Sequence, residues 1–170
     1  KLDTEALCAV GDKIGADVPI CIKGGTLYSI TSGDMIAAEC DTNCVFVCIY
    51  PDFTLSTAEA YAKYDENPTE INPHYADFVS SIVCGSLSEG AGFISNVFTE
   101  IYHDSRIEEM KTDLLESGAI ISEMTGSGSV VFGVFESEET AVDAKNILSG
   151  KYLHVFTTRP VNSGVYVLER

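Results

Sequence analysis

Two short segments of the chain hold residues whose types and spacing could do chemistry. In Gly15–Pro19 (GADVP), Asp17 is framed by a glycine and a proline. A carboxylate held there could orient a substrate hydroxyl for in-line attack on a γ-phosphate and take its proton. The stiff frame favours that use, because attack geometry tolerates little play. The competing reading is a turn aspartate whose side chain accepts a backbone hydrogen bond. In Thr125–Ser129 (TGSGS), Gly126 and Gly128 can adopt positive φ and leave backbone N–H groups uncovered, which suits an anion. Thr125, Ser127 and Ser129 add hydroxyl donors. Alone, the segment reads first as a hairpin loop. It lacks the G-K-[ST] of a phosphate-binding P-loop, and a strand pattern rather than a helix follows it, which excludes a dinucleotide fingerprint.

Other candidates are weaker. Thr57 follows a proline turn and could contact substrate, but a helix N-terminus at Ser56-Thr57 explains it as well. Asn96, two residues before Phe98, reads as a cap. Cys40, Cys44 and Cys48 are spaced four apart, and Cys8, Cys21 and Cys84 stand alone. No C-x-x-C pair occurs, and His74, His103 and His154 form no ligand cluster with the thiols, so no metal site is expected. Buried free thiols and a reducing cytoplasm are the expectation.

The elements that must position these residues follow from periodicity. Residues 3–14 read as an amphipathic helix capped by Asp3 or Thr4, with Gly15 as its left-handed C′ residue. Pro19 is expected to keep Val18 extended, with a strand starting near Ile20. Strand-like segments span about 20–30 and 34–38, followed by the apolar strand Val45–Tyr50. Helices are expected from Ser56, over about 74–84, and over 96–117 with a break near His103–Asp104, while 85–92 reads as a loop. Ala119–Met124 and Ser129–Phe135 read as strands around the TGSGS turn. A helix capped by Ser137 runs to about Ser149, Tyr152–Thr158 is a further strand, and 164–168 could add another. From Val45 the order is β, helices, β, β, α, β, the split βαβ or ferredoxin-like order of an α+β fold.

Composition narrows the function. Twenty-six acidic residues against ten basic ones give a net charge of −16, which would repel a nucleic-acid backbone or an anionic membrane. A small phosphorylated substrate is not excluded, since one helix N-terminus or one Mg²⁺ can outweigh a diffuse, screened charge. No apolar run approaches the roughly 20 residues needed to span a bilayer. The opening KLDTEALCAVGDKIG reads as a helix already under way, so the chain is expected to be the later part of a longer protein.

Taken together and in order, GADVP, GGT (Gly24–Thr26), PDFTLSTAEAY (Pro51–Tyr61), N-x-F (Asn96–Phe98) and MTGSGSVVFGVF (Met124–Phe135) resemble the GHMP kinases. The resemblance covers nearly all of the chain. It implies a small-molecule kinase using ATP and Mg²⁺, nearest to the branch that phosphorylates a cytidine-diphospho polyol in non-mevalonate isoprenoid biosynthesis. It implies that Asp17 is the catalytic aspartate, that Gly126, Ser127, Gly128 and Ser129 lie beside the phosphates, and that Thr57 touches the polyol. Residues 1–40 would be the tail of an ATP-binding domain and 41–170 the ferredoxin-like C-terminal domain. The family's G-L-G-G-G-S-S loop and catalytic lysine would precede Lys1, leaving this piece inactive by itself. Apolar surface on residues 1–40, without its usual packing partner, would let two copies pair as a homodimer. The alternatives are a homoserine kinase-like enzyme, or a non-catalytic ferredoxin-like module for binding or oligomerisation.

Overall fold

The structure, a computed structural model, describes residues 2–29, 36–38, 43–68, 74–83 and 87–166. The chain divides into two compact units, Lys1–Asp41 with Pro160–Arg170, and Thr42–Arg159. The expectation placed all of 41–170 in one unit. The terminal segment instead bonds to the first unit, with Gly164 N donating to Lys23 O at 3.2 Å, Val165 N to Ile22 O at 3.2 Å and Gly25 N to Val161 O at 2.8 Å.

In the first unit, helix α1 (Thr4–Gly11) is capped by Asp3, whose carboxylate accepts from Ala6 N. It ends at Gly11, earlier than expected, and Gly15 is not in the left-handed region. The expected strand near Ile20 is a helix, α2 (Val18–Lys23). Pro19 occupies its first turn, where a missing N–H costs nothing and the fixed φ suits a helix. Val18 and Ile22, one turn apart, pack on Gly11, where a Cβ would lie 2.9 Å from Val18 Cγ1. That packing overrides the strand preference of a β-branched run. Strands β1 (Thr26–Tyr28) and β2 (Ile36–Ala38) pair antiparallel. The expected strand at 164–168 is not formed over 164–166, and the rest lies outside the described residues.

The second unit begins with β3 (Val45–Tyr50), followed by helices α3 (Thr57–Glu66), α4 (Tyr75–Val83) and α5 (Leu87–Gly90). A 3₁₀ turn (Ala91–Phe93) follows, so the segment expected as a loop is partly helical. Helices α6 (Val97–Tyr102) and α7 (Ser105–Glu116) are separated where His103 turns to φ 45° and Asp104 caps the next helix, at the expected break. Then come β4 (Ile121–Met124), β5 (Val131–Phe135), α8 (Glu138–Leu148) and β6 (His154–Thr158). The sheet order is β4-β5-β3-β6, antiparallel throughout. Each βαβ unit is thus split by one intervening strand, and the fold is α+β and ferredoxin-like.

Both faces of the central strands are covered, which explains why VFVCIY and VFGVF read as continuous apolar runs rather than alternating ones. One face packs Val47, Ile49, Val131 and Phe135 under Ile107, Met110 and Leu114 of α7 and Ala141, Ala144 and Leu148 of α8. The other sets Phe46 and Phe132 against Phe78, Leu87 and Ile94. Gly133 lets α7 come close, since a Cβ there would lie 3.0 Å from Leu114 Cδ2. Cys44 and Cys48 are buried, as expected, and burial pushes the Cys48 thiol up. Cys8 is half-buried, and Cys21 is exposed on α2, against expectation. Cys40 and Cys84 lie outside the described residues. No helix among the described residues is long and apolar enough to cross a membrane.

Candidate functional site

The turn between β4 and β5 is closed by its own backbone: Thr125 N donates to Val130 O at 2.9 Å and Gly128 N to Thr125 O at 3.0 Å. Gly126 (φ 57°) and Gly128 (φ 91°) both adopt the left-handed conformation that side chains resist. Around Gly126 nothing would meet an added Cβ within 4 Å, whereas at Gly128 it would lie 2.6 Å from Met124 Sδ and 2.8 Å from Leu55 Cδ1. Among the described residues no hydrogen bond takes the N–H of Gly126 or Ser127. Neither donor is spent within the turn.

Three side chains fasten this turn. Thr57 Oγ1 and Ser127 Oγ share a hydrogen bond at 2.8 Å. Ser129, 6% exposed, donates its hydroxyl to Phe53 O at 2.7 Å. Asn96 Nδ2 donates to Met124 O at 2.7 Å and to Gly126 O at 2.8 Å. The helices carrying Thr57 and Asn96 are themselves tied, because the Tyr61 and Phe98 rings meet edge-on at 5.1 Å and Tyr102 OH donates to Ser56 O at 2.9 Å. Thus Thr57, Gly126, Ser127, Gly128 and Ser129, predicted from sequence, gather in one place. Ser127 is bonded to Thr57, and Ser129 faces inward.

Beneath the turn lies a polar cluster that sequence reasoning missed. Glu123 Oε1 accepts from Thr99 Oγ1 at 2.7 Å and from Met124 N at 2.8 Å, and Oε2 lies 3.2 Å from Lys111 Nζ. At 7% exposure, the carboxylate survives burial because each oxygen has a partner. A cleft of about 400 Å³ opens beside it, lined by Ile94, Val97, Met124 and Phe132, with Asn96 and Gly126 at its polar rim.

Asp17 belongs to the first unit. It holds the N-cap position of α2 at φ −85°, ψ −13°, is exposed, and makes no side-chain capping bond. Its carbonyl accepts from Cys21 N at 3.2 Å. The carboxylate is therefore not spent on the backbone hydrogen bond that would make it an ordinary turn residue.

Comparison with known proteins agrees with this geometry. Residues 95–154, which carry Asn96 and the glycine turn, match the family described as GHMP kinases C terminal. Among curated relatives, the 4-diphosphocytidyl-2-C-methyl-D-erythritol kinase of Caldanaerobacter subterraneus subsp. tengcongensis is 32% identical over 94% of this chain. The enzyme of that name from Clostridium perfringens is 33% identical, also over 94%. The chain spans 56% and 57% of these relatives' own lengths. Among solved structures, a homoserine kinase from Cytophaga hutchinsonii covers 96% of the chain at TM-score 0.79 and 16% identity, with 60% of its own length matched. A 4-(cytidine 5'-diphospho)-2C-methyl-D-erythritol kinase covers 92% at TM-score 0.68 and 17% identity, with 56% of its own length matched. These last two show the shared fold.

Proposed function

We propose that the complete protein transfers the γ-phosphoryl group of ATP to the C2 hydroxyl of 4-diphosphocytidyl-2-C-methyl-D-erythritol. The observation that carries this reading is the similarity, over 94% of the chain, to relatives bearing that enzyme's name. In this reaction the hydroxyl oxygen forms a bond to the γ-phosphorus, the bond from that phosphorus to ADP breaks, and the hydroxyl proton leaves to a base. Asp17 takes that role: an exposed carboxylate, uncommitted to the backbone, on a helix end stiffened by Pro19. The free N–H groups of Gly126 and Ser127 are suited to negative charge on a substrate or nucleotide phosphate. Thr57, through its bond to Ser127, holds that turn while offering a hydroxyl edge to the polyol.

Mg²⁺ would arrive with the nucleotide, held largely by phosphate oxygens and water, and would neutralise charge on the transferring group. The 170 residues contain no G-L-G-G-G-S-S loop, and alone they are expected to give no turnover.

The test is a substrate panel on the complete protein with ATP and Mg²⁺, comparing the cytidine-diphospho polyol with homoserine and mevalonate. Turnover of the polyol is expected, and preference for homoserine would overturn the substrate. Asp17→Ala should lower kcat by about 10²- to 10⁴-fold with the fold intact. Near-normal kcat in that variant would remove Asp17 from the mechanism.

A further inference from the structure

The two ends of the Asn96 side chain have separate jobs. Oδ1 accepts from Phe98 N at 2.9 Å and caps α6. Nδ2 uses both its hydrogens on the turn, reaching Met124 O at 2.7 Å and Gly126 O at 2.8 Å. The amide orientation is settled by these partners, because the flipped group would face two carbonyl oxygens with a third oxygen and lose the cap. We propose that Asn96 is a positioning residue, which sets the direction in which the glycine turn presents the free N–H of Ser127.

In a trans peptide the C=O and the following N–H point opposite ways. Pinning Met124 O toward Asn96 turns Thr125 N–H away, and it is found on Val130 O at 2.9 Å. Pinning Gly126 O in the same manner turns Ser127 N–H away from Asn96, and no hydrogen bond takes that N–H among the described residues. The turn's own backbone bonds leave the Gly126–Ser127 peptide unheld, and positive φ at Gly126 and Gly128 widens its choice of orientation, so the Asn96 clamp fixes the donor's direction. The clamp stands on a firm base. Helix α6 is tied to β4 by the 2.7 Å bond from Thr99 to Glu123 and to α3 by the Tyr61–Phe98 contact. A donor aimed this way favours an anionic oxygen such as a phosphate's. Only this last step rests on the kinase reading above.

The test separates the two jobs of one side chain. Asn96→Ser keeps a capping oxygen and removes the arm that reaches the turn. Asn96→Asp keeps the cap, strengthened by charge at a helix N-terminus, and sets a carboxylate oxygen against two carbonyls. By amide hydrogen exchange, both variants should exchange Thr125 and Gly128 at least about 10-fold faster, with Phe98 and Thr99 still protected. In the complete protein kcat should fall about 10- to 100-fold, more in Asn96→Asp, with the melting temperature nearly kept. Unchanged exchange in the turn, or equal acceleration in α6 and the turn, would reduce Asn96 to a cap and overturn the proposal. A wild-type protein with no kinase activity would overturn the function proposed above while leaving the exchange result to decide this one.

Discussion

Gly126 and Gly128 look equivalent in the sequence and differ in what surrounds them. At Gly126 an added methyl meets open space, so Gly126→Ala incurs only the left-handed backbone cost, about 1–2 kcal/mol. At Gly128 the same methyl meets buried Met124 and half-buried Leu55, so overpacking adds about 1–3 kcal/mol to the backbone term. Urea denaturation should therefore rank Gly128→Ala well below Gly126→Ala, and equal losses would contradict the packing described. Asn96 shows the limit of legibility at this scale. Its cap partner is two residues away and was readable, but its turn partners are 28 and 30 residues away. Glu123 was invisible for the same reason, since only the fold brings Thr99 and Lys111 to it.

At the scale of elements, the second unit was legible because each strand is a dense apolar run and each long helix has a local start. Ser56 and Ser137 cap α3 and α8 as read, with side chains accepting from Glu59 N and Thr140 N. The first unit was less legible. Its strand-like run VPICIK is held helical by α1, and the terminal segment 160–165 returns from far along the chain to fasten the end of α2. That return depends on two glycines in contact. A Cβ on Gly164 would lie 2.1 Å from Cys21 O, and one on Gly24 would lie 2.2 Å from Gly164 N. Backbone cannot yield as a side-chain tip can. Gly164→Ala should therefore lift the segment off α2 and speed exchange of the Gly25, Gly164 and Val165 amides at least about 10-fold. The Val47 and Ile49 amides, in the other unit, should not change. Undisturbed exchange at Gly25 and Val165 would show that the segment does not fasten α2.

Across the whole molecule, two electrostatic effects oppose each other. Carboxylates outnumber cations 26 to 10, so most negative charge has no cation to meet and the folded chain repels itself. A few carboxylates are well partnered. The hydrogen bond from Arg106 holds the Asp104 carboxyl below its ordinary value. Burial pushes Asp113 up, but the Lys151 ammonium and the Tyr152 hydroxyl, 2.5 Å away, outweigh it and hold that carboxyl low too. The Tyr152 hydroxyl is in turn pushed up to about 12, by its own burial first and by Asp113 second. A carboxyl depressed in the folded state contributes stability above its unfolded value, near 3.8, and loses it as pH falls through the folded value. Self-repulsion has the opposite sign, easing as acid protonates the unpaired carboxylates. Stability should therefore rise modestly from pH 7 to about pH 5 and collapse below about pH 4. Salt separates the two terms at pH 7. Raising ionic strength from about 0.01 to about 0.15 M shortens the screening length from about 30 to about 8 Å, removing long-range repulsion while sparing contact pairs. The urea midpoint should rise over that interval, and by less at pH 5. A midpoint that falls with salt would mean that the ion pairs around Asp104, Asp113 and Glu123, rather than the uncompensated charge, set the balance.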